Sequence, residues 1–259
     1  MIYVNGVEIE QGHFPDNSLL VKLPKFKDKI GIDWRYENDS ELFTLICIRK
    51  HFATLPCELY LPYIPHARMD RVKAPTDVFT LRYFCETINS LNFSKVYVLD
   101  AHSNVSLALL NNVEQMAVEV NIKSALESFK KGKDVALFFP DEGAMKRYAD
   151  NNKDYPFAFG TKKRDWATGK ILGLDIMQKE NIVGKDVLII DDICSRGGTF
   201  YHSAKALKEA GVKSASLYVT HCENTILEGE IFKSGLIDQV YTTTSLVHVP
   251  ELERKLIYV

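Results

Sequence analysis

Two adjacent carboxylates, two hydroxyls, a guanidinium and a glycine pair are concentrated in Asp191-Asp192-Ile193-Cys194-Ser195-Arg196-Gly197-Gly198-Thr199, directly behind the apolar run Val187-Leu188-Ile189-Ile190. The pattern reads as a strand that ends in two acids, a short loop and the start of a helix. In parallel sheets, ligands bind beyond the C-terminal ends of the strands. Glycines let the backbone approach an anion closely, and the free amides of a helix start point at it. Ser195 and Thr199 can add hydroxyl donors, and Thr199 can also cap the helix. The carboxylates repel a phosphate, so their partners are sugar hydroxyls or a divalent cation. The glycine spacing excludes both a Walker A loop and a dinucleotide fingerprint. A sugar-phosphate site is the functional reading, and an Asp-rich turn before a capped helix is the plain structural one.

Three further groups could do chemistry. Lys162-Lys163-Arg164 lies in Gly160–Gly173, a polar stretch that also holds Asp165, Thr168 and Lys170. On its own this is a solvated basic hairpin. Arg68, Asp70 and Arg71 follow the apolar segment Leu59–Ile64, and by themselves form a surface ion-pair cluster. His102 closely follows an expected strand end, where a histidine is ordinarily structural.

Such groups need a frame. Apolar runs of strand length recur at Glu41–Ile48, Cys57–Leu61, Lys95–Leu99, Asp134–Phe139, Asp186–Ile190 and Ser214–Val219. Several are apolar at consecutive positions, which suits parallel strands covered on both faces. Between them, Val78, Leu81, Cys85, Ile88 and Leu91 recur at helical spacing. Phe200, Ala204, Leu207 and Ala210 do the same, with Gly211 as a C-cap. The fold class is therefore α/β with mostly parallel sheets. The polar run Lys130–Asp134 suggests a seam, with domains over 1–132 and 133–259. Strands running into Asp100-Ala101-His102 and into Asp191-Asp192 give the halves a weak echo of each other.

The composition sets the class. The chain has 259 residues, 46% of them hydrophobic and 25% charged, which argues against a disordered or fibrous chain. With 32 Lys+Arg against 34 Asp+Glu, the formal net charge is −2. A dominant electrostatic grip on nucleic acid is thereby excluded. No window approaches the roughly 18 consecutive apolar residues of a membrane span, and the first residues do not begin a signal peptide. The five cysteines, Cys47, Cys57, Cys85, Cys194 and Cys222, are odd in number and none is spaced as a zinc knuckle. Buried thiols in a reducing compartment, the cytoplasm, are the expectation.

The segment 191–199 resembles the phosphoribosyl-binding loop of type I phosphoribosyltransferase folds. The rest of the chain resembles ribose-phosphate diphosphokinases, also called phosphoribosyl pyrophosphate synthetases. The family-like stretches run in order: Phe14-Pro15-Asp16, Glu37–Leu42, Leu61–Arg71, Asp100-Ala101-His102, Phe139–Gly143, Lys162-Lys163-Arg164 and Asp191–Thr199. The resemblance implies two phosphoribosyltransferase-like domains. It also implies transfer of the β,γ-diphosphate of ATP to the anomeric hydroxyl of ribose 5-phosphate, with release of AMP. By resemblance Lys162 and Arg164 are catalytic, and His102 with Asp141 holds Mg²⁺, assisted by Asp100. Phe14, Arg68, Asp70, Arg71 and His102 take ATP. Asp191, Asp192, Ser195, Arg196, Gly197, Gly198 and Thr199 take the sugar phosphate. Arginine suits such contacts because its planar guanidinium forks onto phosphate and stacks on rings. The implied assembly is a homodimer or higher homo-oligomer, without nucleic acid or membrane.

Four departures qualify the resemblance. Ser195-Arg196 replaces the family's Asp-Thr, losing an acid and gaining a cation beside the sugar's 5′ end, which favours a more anionic 5′ group. Asn17-Ser18 replaces Gly-Glu after Asp16, and Met69 replaces Gln. Family members are also longer, which favours a dimer over a hexamer. The resemblance therefore extends to two rivals. One is a relative that diphosphorylates ADP-ribose, with Arg196 on the second phosphate and a place in NAD metabolism. The other is a non-catalytic regulatory protein of the same fold.

Overall fold

The computed structural model describes residues 1–164 and 171–259, with side chains outside 162–164 and 171–173. It divides into two compact units, Met1–Ala117 with Ser245–Val247 and Val118–Thr244 with His248–Val259.

The first unit runs through β1 (Ile2–Val4), β2 (Val7–Glu8), β3 (Gln11–His13), β4 (Leu19–Val21), β5 (Ile30–Trp34), α1 (Ser40–His51), β6 (Cys57–Tyr60), α2 (Thr80–Ser90), β7 (Lys95–Leu99), α3 (Asn104–Leu109) and β8 (Val113–Met116). Its main sheet has the order β2-β1-β5-β6-β7-β8, in which β5 to β8 are parallel. These strands follow one another in space as in sequence. Right-handed crossovers then put α1 and α2 on the same face. Leu45 and Ile48 of α1 and Leu81, Cys85 and Ile88 of α2 bury against Ile30, Ile32, Trp34, Leu59 and Val96. Gly31 and Asp33, on the opposite face of β5, are only half-buried.

The run 41–48, expected to be a strand, lies inside α1. Its buried residues Glu41, Thr44, Leu45 and Ile48 are three or four apart, while Phe43 is exposed. Arg49, Lys50 and His51 occupy the last turn, where cations complement the helix dipole. A short apolar run fits either period, and only the packing partner decides.

The second unit contains α4 (Glu119–Phe129), β9 (Val135–Phe139), α5 (Glu142–Tyr148), β10 (Phe157–Arg164), β11 (Ile171–Met177), β12 (Asp186–Cys194), α6 (Gly198–Glu209), β13 (Ser214–Cys222), a 3₁₀ turn at Asn224–Glu228, α7 (Ile231–Ser234), β14 (Val240–Thr242), α8 (Pro250–Glu253) and β15 (Leu256–Tyr258). The sheet order is β11-β10-β9-β12-β13-β14-β15, parallel except for the β10–β11 hairpin. Every residue of β9 and nearly every residue of β12 and β13 is buried, as a sheet covered on both faces requires. The strands β12 and β13 run past their apolar stretches to Cys194 and Cys222, because the ladder between them continues through Asp191↔Val219 and Ile193↔His221.

The units part after Ala117, ahead of α4, rather than at the polar run 130–134. The stripe Ile122, Ala125, Leu126 and Phe129 is buried, and Asn121 Nδ2 donates to the Val259 carbonyl at 2.8 Å, which ties α4 to the second unit. The polar run is the turn behind that helix, with Gly132 at φ +71°.

All five cysteines are free. Burial pushes Cys57 up to about 11, Cys85 up to about 12 and Cys222 up to about 12, so these thiols are inert. Among the described residues, no helix is long and apolar enough to cross a membrane.

The second unit is latched by buried His248. Its Nε2–H donates to the Cys222 carbonyl at 2.8 Å, leaving Nδ1 to accept from the Tyr258 hydroxyl at 2.7 Å. Burial lowers the His248 pKa, opposed by the Cys222 carbonyl and the Glu253 charge. A histidine depressed in the folded state stabilises fully above its unfolded value of about 6.5, and that stability is lost as pH falls toward the folded value. Thermal melts should therefore show a wild-type decline below about pH 6.5 that is shallower in His248→Gln. An identical pH slope for the two proteins overturns the latch.

Candidate active site

The polypeptide leaves β12 at Cys194 and turns through Ser195-Arg196-Gly197 into α6. Gly197 sits at φ +74°, and a Cβ there would lie 2.4 Å from Ile231 Cγ1, so both conformation and space demand glycine. Gly198 opens the helix, and nothing stands within 4 Å of where its Cβ would be. Gly197 is the N-cap and no side chain caps the helix. Thr199 therefore does not take the capping role expected of it; it lies exposed in the first turn. The first amides of α6 stay without helical acceptors beside an open position, which is the arrangement that binds a phosphate.

Asp191 and Asp192 precede this loop at consecutive positions of β12, and their carboxyl groups interact directly. Asp192 is buried and meets Arg147 Nη1 of α5 at 3.4 Å. Asp191 accepts from the Asp192 amide at 3.0 Å. Its carboxyl is nevertheless raised well above the ordinary range, first by burial, then by the charge of Asp192 and also by that of Asp141. Asp141 is the N-cap of α5 and accepts from the Ala144 amide at 3.0 Å. The Asp191 carboxyl thus lies in the field of Asp192 and Asp141, with Arg147 set against Asp192.

The hairpin that carries Lys162 and Arg164 is seen in its backbone. The strand β10 pairs with β9 only over Phe157–Phe159, and from Gly160 it pairs with β11 alone. A Cβ at Gly160 would lie 2.6 Å from the Pro140 carbonyl, so glycine lets the strand pass there. The register Lys162↔Leu174 and Arg164↔Ile171 carries the two cationic positions past the end of β9. The side chains of Lys162 and Arg164, and all of Asp165, Thr168 and Lys170, lie outside the described residues.

In the first unit, the loop after β6 gathers Arg68, Asp70 and Arg71. Arg71 Nε donates to Asp70 Oδ1 at 2.8 Å and Nη2 to Oδ2 at 3.2 Å. This pairing lowers the Asp70 pKa against burial, with Ser103 and the charge of His102 acting in the same sense. Asp70 is buried, whereas Arg68 and Arg71 are exposed, so the carboxylate anchors a cation directed at solvent. His66, at φ +62°, reaches Asp39 Oδ1 with Nε2 at 3.1 Å, which joins two of the family-like stretches. His102 is half-buried after β7, beside buried Asp100 at φ +44°. Phe14 is half exposed at the tip of the β3–β4 hairpin, where the Phe14 amide donates to the Ser18 carbonyl at 2.9 Å. Gln11 at the hairpin base accepts from Thr44 of α1 at 2.6 Å.

His102 belongs to the first unit and Asp141 to the second. Among the described residues, no three His, Cys, Asp or Glu side chains cluster as metal ligands.

Residues that the motif did not reveal complete the loop. The segment after β13 packs behind it. A Cβ on Gly229 would lie 1.8 Å from the Arg196 carbonyl oxygen. Arg196 Nε and Nη2 both meet Glu228 Oε2 at 2.9 Å. Ser195 Oγ lies 3.1 Å from Thr225 Oγ1, which donates to Glu223 Oε2 at 3.2 Å. Thr225 has a single proton, so Ser195 is the donor of that pair. The available signal was topological: β13 ends beside β12, so its polar exit Glu223-Asn224-Thr225 must abut the exit of β12.

Residues 118–237 match the phosphoribosyl transferase domain family. The chain is 26% identical over 246 residues to the ribose-phosphate pyrophosphokinase of Pyrococcus abyssi, covering 91% of this chain and 81% of that protein. It is 27% identical over 245 residues to ribose-phosphate pyrophosphokinase 2 of Archaeoglobus fulgidus, covering 89% and 82%. The phosphoribosylpyrophosphate synthetase structure from Mycobacterium smegmatis superposes with a TM-score of 0.78 at 17% identity, over 97% of this chain and 85% of that one. That likeness makes the fold one of two phosphoribosyltransferase-like domains with mostly parallel sheets. The ordered motifs and the relatives agree: over about nine-tenths of its length the chain is similar to ribose-phosphate pyrophosphokinases, also called ribose-phosphate diphosphokinases or phosphoribosyl pyrophosphate synthetases.

Proposed function

We propose that the protein transfers the β,γ-diphosphate of ATP to the anomeric hydroxyl of ribose 5-phosphate, giving phosphoribosyl pyrophosphate and AMP. The observation that carries this reading is the uncapped start of α6 at the open Gly198 position, directly behind the carboxylates of β12. The acceptor's 5′-phosphate sits on the amides of Gly197, Gly198 and Thr199, with the Thr199 hydroxyl as a further donor and the Ser195 hydroxyl as one that must turn from Thr225 to reach it. Asp191 accepts from ring hydroxyls, while Asp192, paired with Arg147, fixes the strand end. Arg68, Arg71 and His102 take the phosphates of ATP, Asp70 orients Arg71, and Phe14 stacks on the base.

In the reaction the anomeric oxygen attacks the β-phosphorus, the bond from that phosphorus to the α-phosphate oxygen breaks, and AMP leaves. Negative charge grows on the phosphoryl oxygens, and Lys162 and Arg164 stabilise it. Mg²⁺, when bound, would neutralise phosphate charge, and His102 and Asp141 are the residues that the family resemblance assigns to it. No covalent intermediate with the protein is needed. The family resemblance extends the reading to a homo-oligomer.

The test is a mass-resolved assay with ATP and Mg²⁺, offering ribose 5-phosphate and ADP-ribose separately. Formation of AMP with phosphoribosyl pyrophosphate is the expected result. AMP formed only with ADP-ribose reassigns the acceptor, and no turnover with either favours the regulatory reading.

A further inference from the structure

The basic residue that distinguishes this phosphate loop is already engaged by an acid of the same chain. Arg196 turns its Nε/Nη2 edge, the edge that forks onto phosphate or carboxylate, to Glu228 Oε2 at 2.9 Å. Glu228 is held in place by the backbone. The next residue, Gly229, packs so closely on the Arg196 carbonyl that a Cβ would stand 1.8 Å from its oxygen, which sets the register between the two segments. The adjacent donor, Ser195, is likewise turned to this segment through Thr225. The cation gained by the loop is therefore offset by a carboxylate that motif comparison does not show.

We propose that Glu228 is a specificity-determining residue that limits how much negative charge the acceptor carries at its 5′ end. The proposal rests on the reading of the 195–199 loop as the acceptor's phosphate site. A 5′-monophosphate is held by the amides at the start of α6 and does not require Arg196. A second phosphate, attached outward of the first, meets the guanidinium and must displace Glu228 to fork onto it. Glu228 thus acts as an internal competitor, and repels the second phosphate until it is displaced. Arg196 and Glu228 are 74% and 55% exposed, so the pair is screened by solvent and exchanges readily. The selectivity is accordingly graded, and it weakens as salt is added.

The experiment measures equilibrium binding of ribose 5-phosphate and of ribose 5-diphosphate, which lacks a base that could enter the ATP site. Titrations use the full chain and its Glu228→Gln, Arg196→Ala and doubly substituted variants, without ATP. Relative to wild type, Glu228→Gln should shift the affinity ratio toward the diphosphate by about two- to fivefold, the scale of an exposed ion pair. In the Arg196→Ala background the same substitution should shift it much less, because the competed cation is gone. An unchanged ratio in Glu228→Gln, or an undiminished shift without Arg196, overturns the proposal and leaves the acceptor site standing. Failure of the wild type to bind either sugar overturns the acceptor site itself, and the proposal with it. Melting temperatures of the variants separate these outcomes from misfolding.

Discussion

Gly229→Ala is expected to cripple acceptor binding while sparing ATP binding. The residue lies at φ −88° and ψ −164°, which alanine adopts without strain, so the effect is steric alone. The new Cβ would stand 1.8 Å from the Arg196 carbonyl oxygen and 2.9 Å from its carbon. Backbone cannot yield as a flexible side chain does, so the 195–198 loop must move. Overpacking of this kind costs about 1–3 kcal/mol, and a displaced phosphate cradle loses about 10- to 100-fold in acceptor affinity. Gly198→Ala is the control. It has open space and no positive φ, so the melting temperature should hold or rise slightly while the methyl occupies the position a phosphate would approach. Acceptor titrations and melts on both variants check the pair. Wild-type acceptor affinity in Gly229→Ala would show that the loop does not depend on its backing segment.

Lys162→Ala and Arg164→Ala should each lower kcat by about 10²- to 10³-fold with smaller changes in KM, the signature of charge stabilised in the transition state. The backbone supports the assignment. From Gly160 onward β10 has only β11 as a partner, so the hairpin carries these two positions past the end of β9. The double variant should lose less than the product of the single losses, because groups acting on one developing charge are not additive. Lys163→Ala is the comparison, since the family resemblance gives the middle position no catalytic role. Single-turnover and steady-state kinetics distinguish the cases. If KM rises while kcat is kept, the two cations serve ground-state binding and the catalytic role is withdrawn.

Much of the frame was legible from side-chain pattern. Lys95–Leu99 reads as a strand and is one, because Val96, Val98 and Leu99 are buried among covering elements. The stripe Leu81, Cys85, Ile88 and Leu91 is buried at helical spacing, although Val78 ahead of it is exposed. The loop 195–199 was legible as a strand–loop–helix turn, since Gly197 at φ +74° carries the chain from β12 into α6. The run 41–48 was misread because eight residues of apolar character satisfy both periods. The polar turn 130–134 resembles a linker in one dimension, whereas α4 ahead of it packs within the second unit.

What the sequence by itself determined is chemical inventory and local conformation: a sheet-forming run into two acids, a glycine turn at positive φ, a helix start, and cations spaced as in one enzyme family. Those properties depend on neighbours along the chain and on the resemblance of ordered motifs. Tertiary structure alone decided which groups neutralise one another. Nothing in the order of residues joins Arg196 to Glu228, Asp192 to Arg147 or His248 to Cys222, yet each pair meets within 3.4 Å. Charge and hydrogen bonding act through space, and the parallel ladder between β12 and β13 brings two distant strand exits side by side. That juxtaposition converts an apparent gain of positive charge at the phosphate loop into a compensated pair.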